Sequence, residues 1–191
     1  MSEPRILAFA GSARRESFNK TMIKIAAAGA EAAGAKVTLI DLADYPLPLF
    51  NQDLEAEKGP PAEAVALKKL FLENDGLLMA CPEYNSSITP LWKNTIDWVS
   101  RQAPGEAPLA AYKGKVAKIM SASPGKLGGL RGLVTVRSIL GNIGVVVLPE
   151  QIAVAEAHNN FTPGGKHQDA KQHEAIEKLG RGLAEFLKRL S

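Results

Sequence analysis

The chain has 191 residues, 46% of them hydrophobic and 23% charged, with a formal net charge of +3. That length suits one domain, residues 1–191, with a core of its own, and the composition excludes a disordered chain. Cys81 is the sole cysteine, which excludes an intrachain disulfide and leaves a structural zinc without its usual ligands.

Along the chain, strand-like and helix-like patterns alternate. Arg5 to Ala10 reads as a first strand, and Phe18 to about Ala33 as a helix with Met22, Ile23, Ile25, Ala26 and Ala30 at helical spacing and Gly34 as its stop. Lys36 to Asp41 is a second strand. The stretch LADYPLPLFNQDLEAEKGPP that follows is rich in proline and polar residues, which predicts a long surface excursion. Ala62 to Glu73 is helical. GLLMA, Gly76 to Ala80, is short and apolar, as in a central strand covered on both faces. Thr89 to Arg101 is a helix opened by Pro90, Val116 to Ser121 a fourth strand, Leu130 to about Asn142 a helix, and GVVVLP a fifth strand. The last helix, about Asp169 to Leu190, puts Ile176, Leu179, Leu183, Phe186 and Leu187 on one face. Five strands separated by helices predict an α/β fold: a doubly wound five-stranded parallel sheet with helices on both faces.

No window approaches the roughly 18–20 apolar residues that span a bilayer, and Glu3 and Arg5 come too early for an apolar signal segment. A cytoplasmic protein with no membrane partner is expected. Lysines and arginines are interspersed with acids, so no nucleic-acid partner is expected either; the mild positive excess suits small anionic ligands.

A doubly wound sheet binds ligands beyond the carboxyl ends of its strands, and three loops occupy that edge. The first, GSARRESFN, leads into a helix whose opening N–H groups and dipole favour an anion. Ser12, Ser17 and Asn19 supply donors and Arg14 or Arg15 a charge-assisted contact, as a terminal phosphate requires. Ser17 as a plain N-cap beside solvated arginines is the competing reading. Neither G-x-G-x-x-G nor G-x-x-x-x-G-K is present, which points to a mononucleotide.

The second loop, CPEYNSS, offers the Tyr84 ring, the Glu83 carboxylate and the Asn85 and Ser86 donors, or else forms only a tight turn with an exposed tyrosine. The third, SASPGKLGGLRG, has small residues that let backbone N–H groups approach a ligand. His158, His167 and His173 lack partners at metal-ligand spacing and read as solvated, so no metal site is expected. Cys81 reads as a buried small hydrophobe. Trp92 and Trp98 read as core or interface residues.

Together, G-S-x-R-x-x-S-x-N at Gly11 to Asn19, PEYN at Pro82 to Asn85, KN with IDW at Lys93 to Trp98, and Gly128-Gly129 before Arg131 resemble the NAD(P)H-dependent FMN reductase family of the flavodoxin-like fold. That group contains bacterial quinone and chromate reductases. The resemblance implies that Ser12, Arg14, Ser17, Phe18 and Asn19 hold the FMN phosphate, Phe18 through its backbone. It implies that Pro82, Glu83, Tyr84, Asn85 and Ser86 line the ribityl chain and ring, with Ser121, Ala122 and Ser123 closing the other side. Hydride would come from NADPH or NADH and pass to a small-molecule acceptor such as a quinone or chromate by ping-pong kinetics. The cofactor carries that chemistry, so no catalytic side chain is expected.

The resemblance also implies a homodimer or homotetramer, with the Trp92–Trp98 helix near the contact. The chain departs from the family pattern where Thr89-Pro90 stands in place of proline then glycine, and Trp92 in place of leucine. Two other readings are a flavodoxin-type electron carrier, against which stand the positive charge and Arg14, and a nicotinamide dehydrogenase using Asp41 on a ribose.

Overall fold

In Arg5–Ala10, Ile6, Ala8 and Ala10 alternate with Leu7 and Phe9, and all five are buried. A strand apolar on both sides must lie inside a sheet covered on both faces. In the computed structural model, which describes residues 3–162 and 164–190, it does. The five strands are β1 (Arg5–Ala10), β2 (Lys36–Asp41), β3 (Gly76–Ala80), β4 (Val116–Ala122) and β5 (Val146–Val154). They are all parallel, in the order β2-β1-β3-β4-β5. This is the flavodoxin-like α/β arrangement.

The helices are α1 (Phe18–Ala32), α2 (Gln52–Lys58), α3 (Ala62–Glu73), α4 (Pro90–Val99), α5 (Leu130–Asn142), α6 (Ala157–Asn160) and α7 (Ala170–Leu190). Helices α1 and α7 cover one face, burying Met22, Ile23, Ala26, Ile176, Leu179 and Leu183 against Ile6, Ala8, Leu78 and Met120. Helices α3, α4 and α5 cover the other, burying Phe71, Trp92, Ile96, Leu133 and Val136 against Leu7, Phe9, Met79 and Ile119.

Two expectations need correction. The excursion after β2 is not wholly irregular, because α2 forms within it, capped by Asn51 Oδ1 accepting from the Asp53 N–H at 2.8 Å. It is fastened to α4: Trp98 Nε1 donates to Pro48 O at 2.8 Å, Asn94 Nδ2 donates to the same oxygen at 2.9 Å, and Arg101 Nε donates to both Glu55 oxygens. The fifth strand does not stop at Pro149 but runs on to Val154. The register with β4 shifts between Ala117 and Ile119, and Arg137 donates to the carbonyls of Val147, Leu148 and Pro149 across the break. An edge strand tolerates a proline at such a bulge because no ladder bond is demanded there.

The tightest packing is between α1 and α7. A Cβ on Gly180 would stand 1.7 Å from Ala26 O, and one on Gly29 would stand 2.1 Å from Glu177 O. Only the missing side chains let the two backbones meet. Gly180→Ala is therefore expected to cost about 1–3 kcal/mol by overpacking and to lower Tm by roughly 4–10 °C. An unchanged melting curve would show that the contact is loose.

Candidate FMN-binding site

Strand order reverses between β1 and β3, so the chain leaves these two strands in opposite directions and opens a cleft beyond their carboxyl ends. The three loops meet there. Backbone bonds set their starts: the Gly11 N–H donates to Ala80 O at 2.9 Å and the Cys81 N–H to Met120 O at 2.7 Å.

In the first loop Ser12 and Ser17 are buried, whereas Arg14, Arg15 and Glu16 are exposed. Ser17 has the N-cap backbone conformation, but its hydroxyl makes no capping bond. A plain cap would spend that hydroxyl on the helix. Here it stays available beside the first-turn N–H groups of Phe18 and Asn19, which have no intrahelical acceptor, and no acid occupies the first turn of α1. The Arg14 guanidinium lies 5.3 Å over the Phe18 ring, which holds its charge at this end of the helix.

Asn19, expected among the phosphate donors, makes a different contact. Its Nδ2 donates to Ala122 O at 2.8 Å and its Oδ1 accepts from the Ala122 N–H at 3.0 Å, which joins the first loop to the third. One amide hydrogen is left for a ligand.

The second loop is a two-residue turn. The Tyr84 N–H donates to Ser87 O at 2.9 Å and the Ser87 N–H to Tyr84 O at 3.0 Å, with Asn85 (φ 51°) and Ser86 (φ 67°) both left-handed. It leaves Tyr84 53% exposed at the rim. Pro82 is buried. Glu83 is engaged by α5: its carboxylate accepts from Arg131 Nε and Nη2 at 3.0 and 2.8 Å and from the Gly132 N–H at 2.9 Å, joining this loop to α5.

In the third loop the expected logic of small residues changes. Gly128 and Gly129 have positive φ, and a Cβ would stand 2.7 Å from the Val154 carbonyl carbon at Gly128 or 2.0 Å from Ser121 Oγ at Gly129. These glycines serve packing inside the protein. Ser121 lies beneath Gly129, 0% exposed, with no hydrogen-bond partner for its hydroxyl among the described residues. Ala122 is buried, and Ser123 is half-buried at the edge.

A fourth loop, unnoticed in the sequence, also reaches this edge. After β5, the Glu156 N–H donates to Gly125 O and the Ala157 N–H to Ser123 O, while Phe161 stacks on Phe18 with centroids 6.1 Å apart. The extension of β5 past Pro149 was the missing signal. His167 follows in this loop and is not solvated as expected: it is buried, edge-on to Phe161 at 5.3 Å, and its Nδ1 accepts from the Asp169 N–H.

Burial pushes the Cys81 thiol pKa up, so the buried residue stays a neutral thiol. Asp41 pairs with Lys20 at 2.5 Å and accepts from the Ala43 N–H. A separate cleft of about 480 Å³, lined by Arg5, Asp75, Lys113 and Lys115, opens at the amino-terminal edge of the sheet, away from the three loops. Among the described residues no group of three or more His, Cys, Asp or Glu could hold a metal ion, and no helix is long and apolar enough to cross a membrane.

Residues 4–159 match the model of the NADPH-dependent FMN reductases. The chain belongs to this family. It is 33% identical over 187 residues to an NAD(P)H-dependent FMN reductase of Pseudomonas aeruginosa, covering 97% of this chain and 96% of the relative. It is 37% identical over 153 residues to a quinone reductase of Escherichia coli, covering 78% and 76%. Among solved structures it is similar to FerB, a flavoenzyme NAD(P)H:acceptor oxidoreductase of Paracoccus denitrificans, with a TM-score of 0.80, 25% identity, and coverage of 97% and 98%. As a member of the family the chain is an FMN-dependent NAD(P)H oxidoreductase. Its first loop fits the FMN phosphate, with the buried, uncapping Ser17, the open first turn of α1 and Arg14 in place.

Burial pushes the Glu83 carboxyl pKa up, but the Gly132 N–H bond, the Arg131 bonds and the Arg131 charge outweigh it and hold it below the usual carboxylate range. A lowered carboxyl pKa gives stability that is complete above the ordinary value, about 4.3, and is lost as pH falls through the lowered one. Between about pH 5 and pH 3, wild type is therefore expected to lose more stability than Glu83→Gln in urea melts, and parallel losses would refute the assignment.

Proposed function

We propose that this chain holds one FMN across its three loops, as a single FMN-binding domain, and moves hydride from NADPH or NADH to a quinone or a metal oxyanion such as chromate. The supporting observation is an α1 N-terminus built for a dianion at the switch point, beside a rim that leaves Tyr84 open. Bound there, FMN would supply the redox chemistry between the nicotinamide donor and the acceptor. The chain's own residues bind and orient. Ser12, Ser17, the Phe18 and Asn19 N–H groups and Arg14 hold the phosphate. Pro82, Tyr84, Asn85 and Ser86 form one wall beside the ring, and backbone at Ala122 and Ser123 forms the other. Glu83 and Ser121 act from beneath, Glu83 by fixing the second loop on α5.

Donor and acceptor use one open rim in turn, which gives ping-pong kinetics and breadth among acceptors. The single buried cysteine suits a cytoplasmic setting. A homodimer, or a dimer of dimers, belongs to the same proposal, with its contact near α4. Trp92 and Trp98 are buried in the core, so α4 itself offers a second copy Lys93, Asp97 and half-buried Leu91, and the third loop and α5 add exposed Leu127, Leu130 and Val134 to the surface.

Anaerobic addition of NADPH or NADH to the FMN-loaded protein is expected to bleach its visible absorbance, and parallel double-reciprocal lines should follow with a quinone. A spectrum that persists with both donors would instead make the chain an electron carrier. Arg14→Ala should weaken FMN binding about tenfold or more, the loss of a charge-assisted bond, and leave riboflavin, which has no phosphate, unaffected.

A further inference from the structure

Two of the three positions where this chain departs from its family pattern, Thr89 and Trp92, converge on one residue of the first loop. Thr89 is 2% exposed, and its hydroxyl does two things at once: Oγ1 donates to Gly11 O at 2.7 Å and accepts from the Trp92 N–H at 3.2 Å. A proline in its place could do neither. Trp92 lies on the other side of the same glycine, and a Cβ on Gly11 would stand 3.0 Å from its Cδ1. The Gly11 N–H is already committed to Ala80 O. Both ends of Gly11 are thus held and its open side is filled.

We propose that Thr89 is a positioning residue for FMN: the first turn of α4 fixes the backbone of Gly11, and through it the neighbouring Ser12 and the path to Arg14, so that the phosphate loop is ordered before the ligand arrives. The inference rests on the reading of Gly11–Asn19 as the phosphate site. Ordering in advance removes an entropic cost from binding. It acts on the phosphate end alone, because the Tyr84–Ser87 turn closes through its own backbone bonds.

That selectivity supplies the test. Apoprotein is titrated with FMN and with riboflavin for wild type, Thr89→Val and Thr89→Ser. Thr89→Val keeps the shape and loses both hydroxyl bonds, of which the one to Gly11 O orders the phosphate loop; it should bind FMN up to about tenfold more weakly, the effect of that one neutral hydrogen bond, with riboflavin affinity unchanged. Thr89→Ser restores the hydroxyl and should restore FMN affinity. If Thr89→Val keeps the wild-type ratio of FMN to riboflavin affinity, whether both fall or neither does, Thr89 is a structural cap only and the proposal fails. If wild type itself shows no preference for FMN over riboflavin, the phosphate reading of the first loop fails first, and that outcome is recognisable without any variant.

Discussion

Burial of the parallel sheet on both faces is the constraint from which the site follows. Strands that are apolar on both sides leave polar chemistry nowhere to go except the ends, and hydrogen-bonded neighbours about 4.8 Å apart bring the ends of β1, β3 and β4 close together. The three loops then meet whatever their sequences. What the sequences decide is how they are held. Side chains make the joins: Thr89 ties the start of α4 to the first loop at Gly11, Asn19 the first loop to the third at Ala122, and Glu83 the second to α5 just beyond the third. Each spends at least one polar atom on a backbone group of another segment, so the cleft is braced by residues that resemble ligand contacts when read in isolation.

This is why the fold was more legible than the site. Alternation of apolar strands and helical patterns survives in the sequence because burial acts on every residue of an element. The five strands, the five longest helices and the two faces of the sheet follow from it. Helix α2 and the second half of β5 do not, since each rests on distant partners: Trp98, Asn94 and Arg101 for the excursion that carries α2, Arg137 for the strand beyond Pro149. At the cleft, motif spacing marked three loops that the fold brings to one edge, but it could not divide residues free for a ligand from braces. Glu83 and Asn19 carry the same donors and acceptors in either role, and only the position of Arg131 or Ala122 in space separates the two.

The electrostatics of the cleft follow the same division. Glu83 is the one acid of the second loop, and Arg131 with the Gly132 N–H neutralises it on α5. The first turn of α1 has no acid of its own, and the Arg14 guanidinium is left against Phe18 without a carboxylate partner among the described residues. In the first loop the exposed Arg14 and Arg15 outnumber the one exposed acid, Glu16, so net positive charge is left beside the first turn of α1.

The Tyr84–Ser87 turn carries the remaining tension in the design. Asn85 and Ser86 both sit in the left-handed region without being glycine, at a cost of order 1 kcal/mol or more each. Asparagine bears that conformation readily, serine less so. Glycines would relax the turn but would remove the side chains that face the cleft and widen the range of backbone shapes at its rim. The strain is tolerated because the turn is held at both ends, by its paired backbone bonds and by Glu83 on α5. A rim fixed in this way presents Tyr84 to solvent as a stationary wall, which suits a flat ring on one side and exchangeable donors and acceptors on the other.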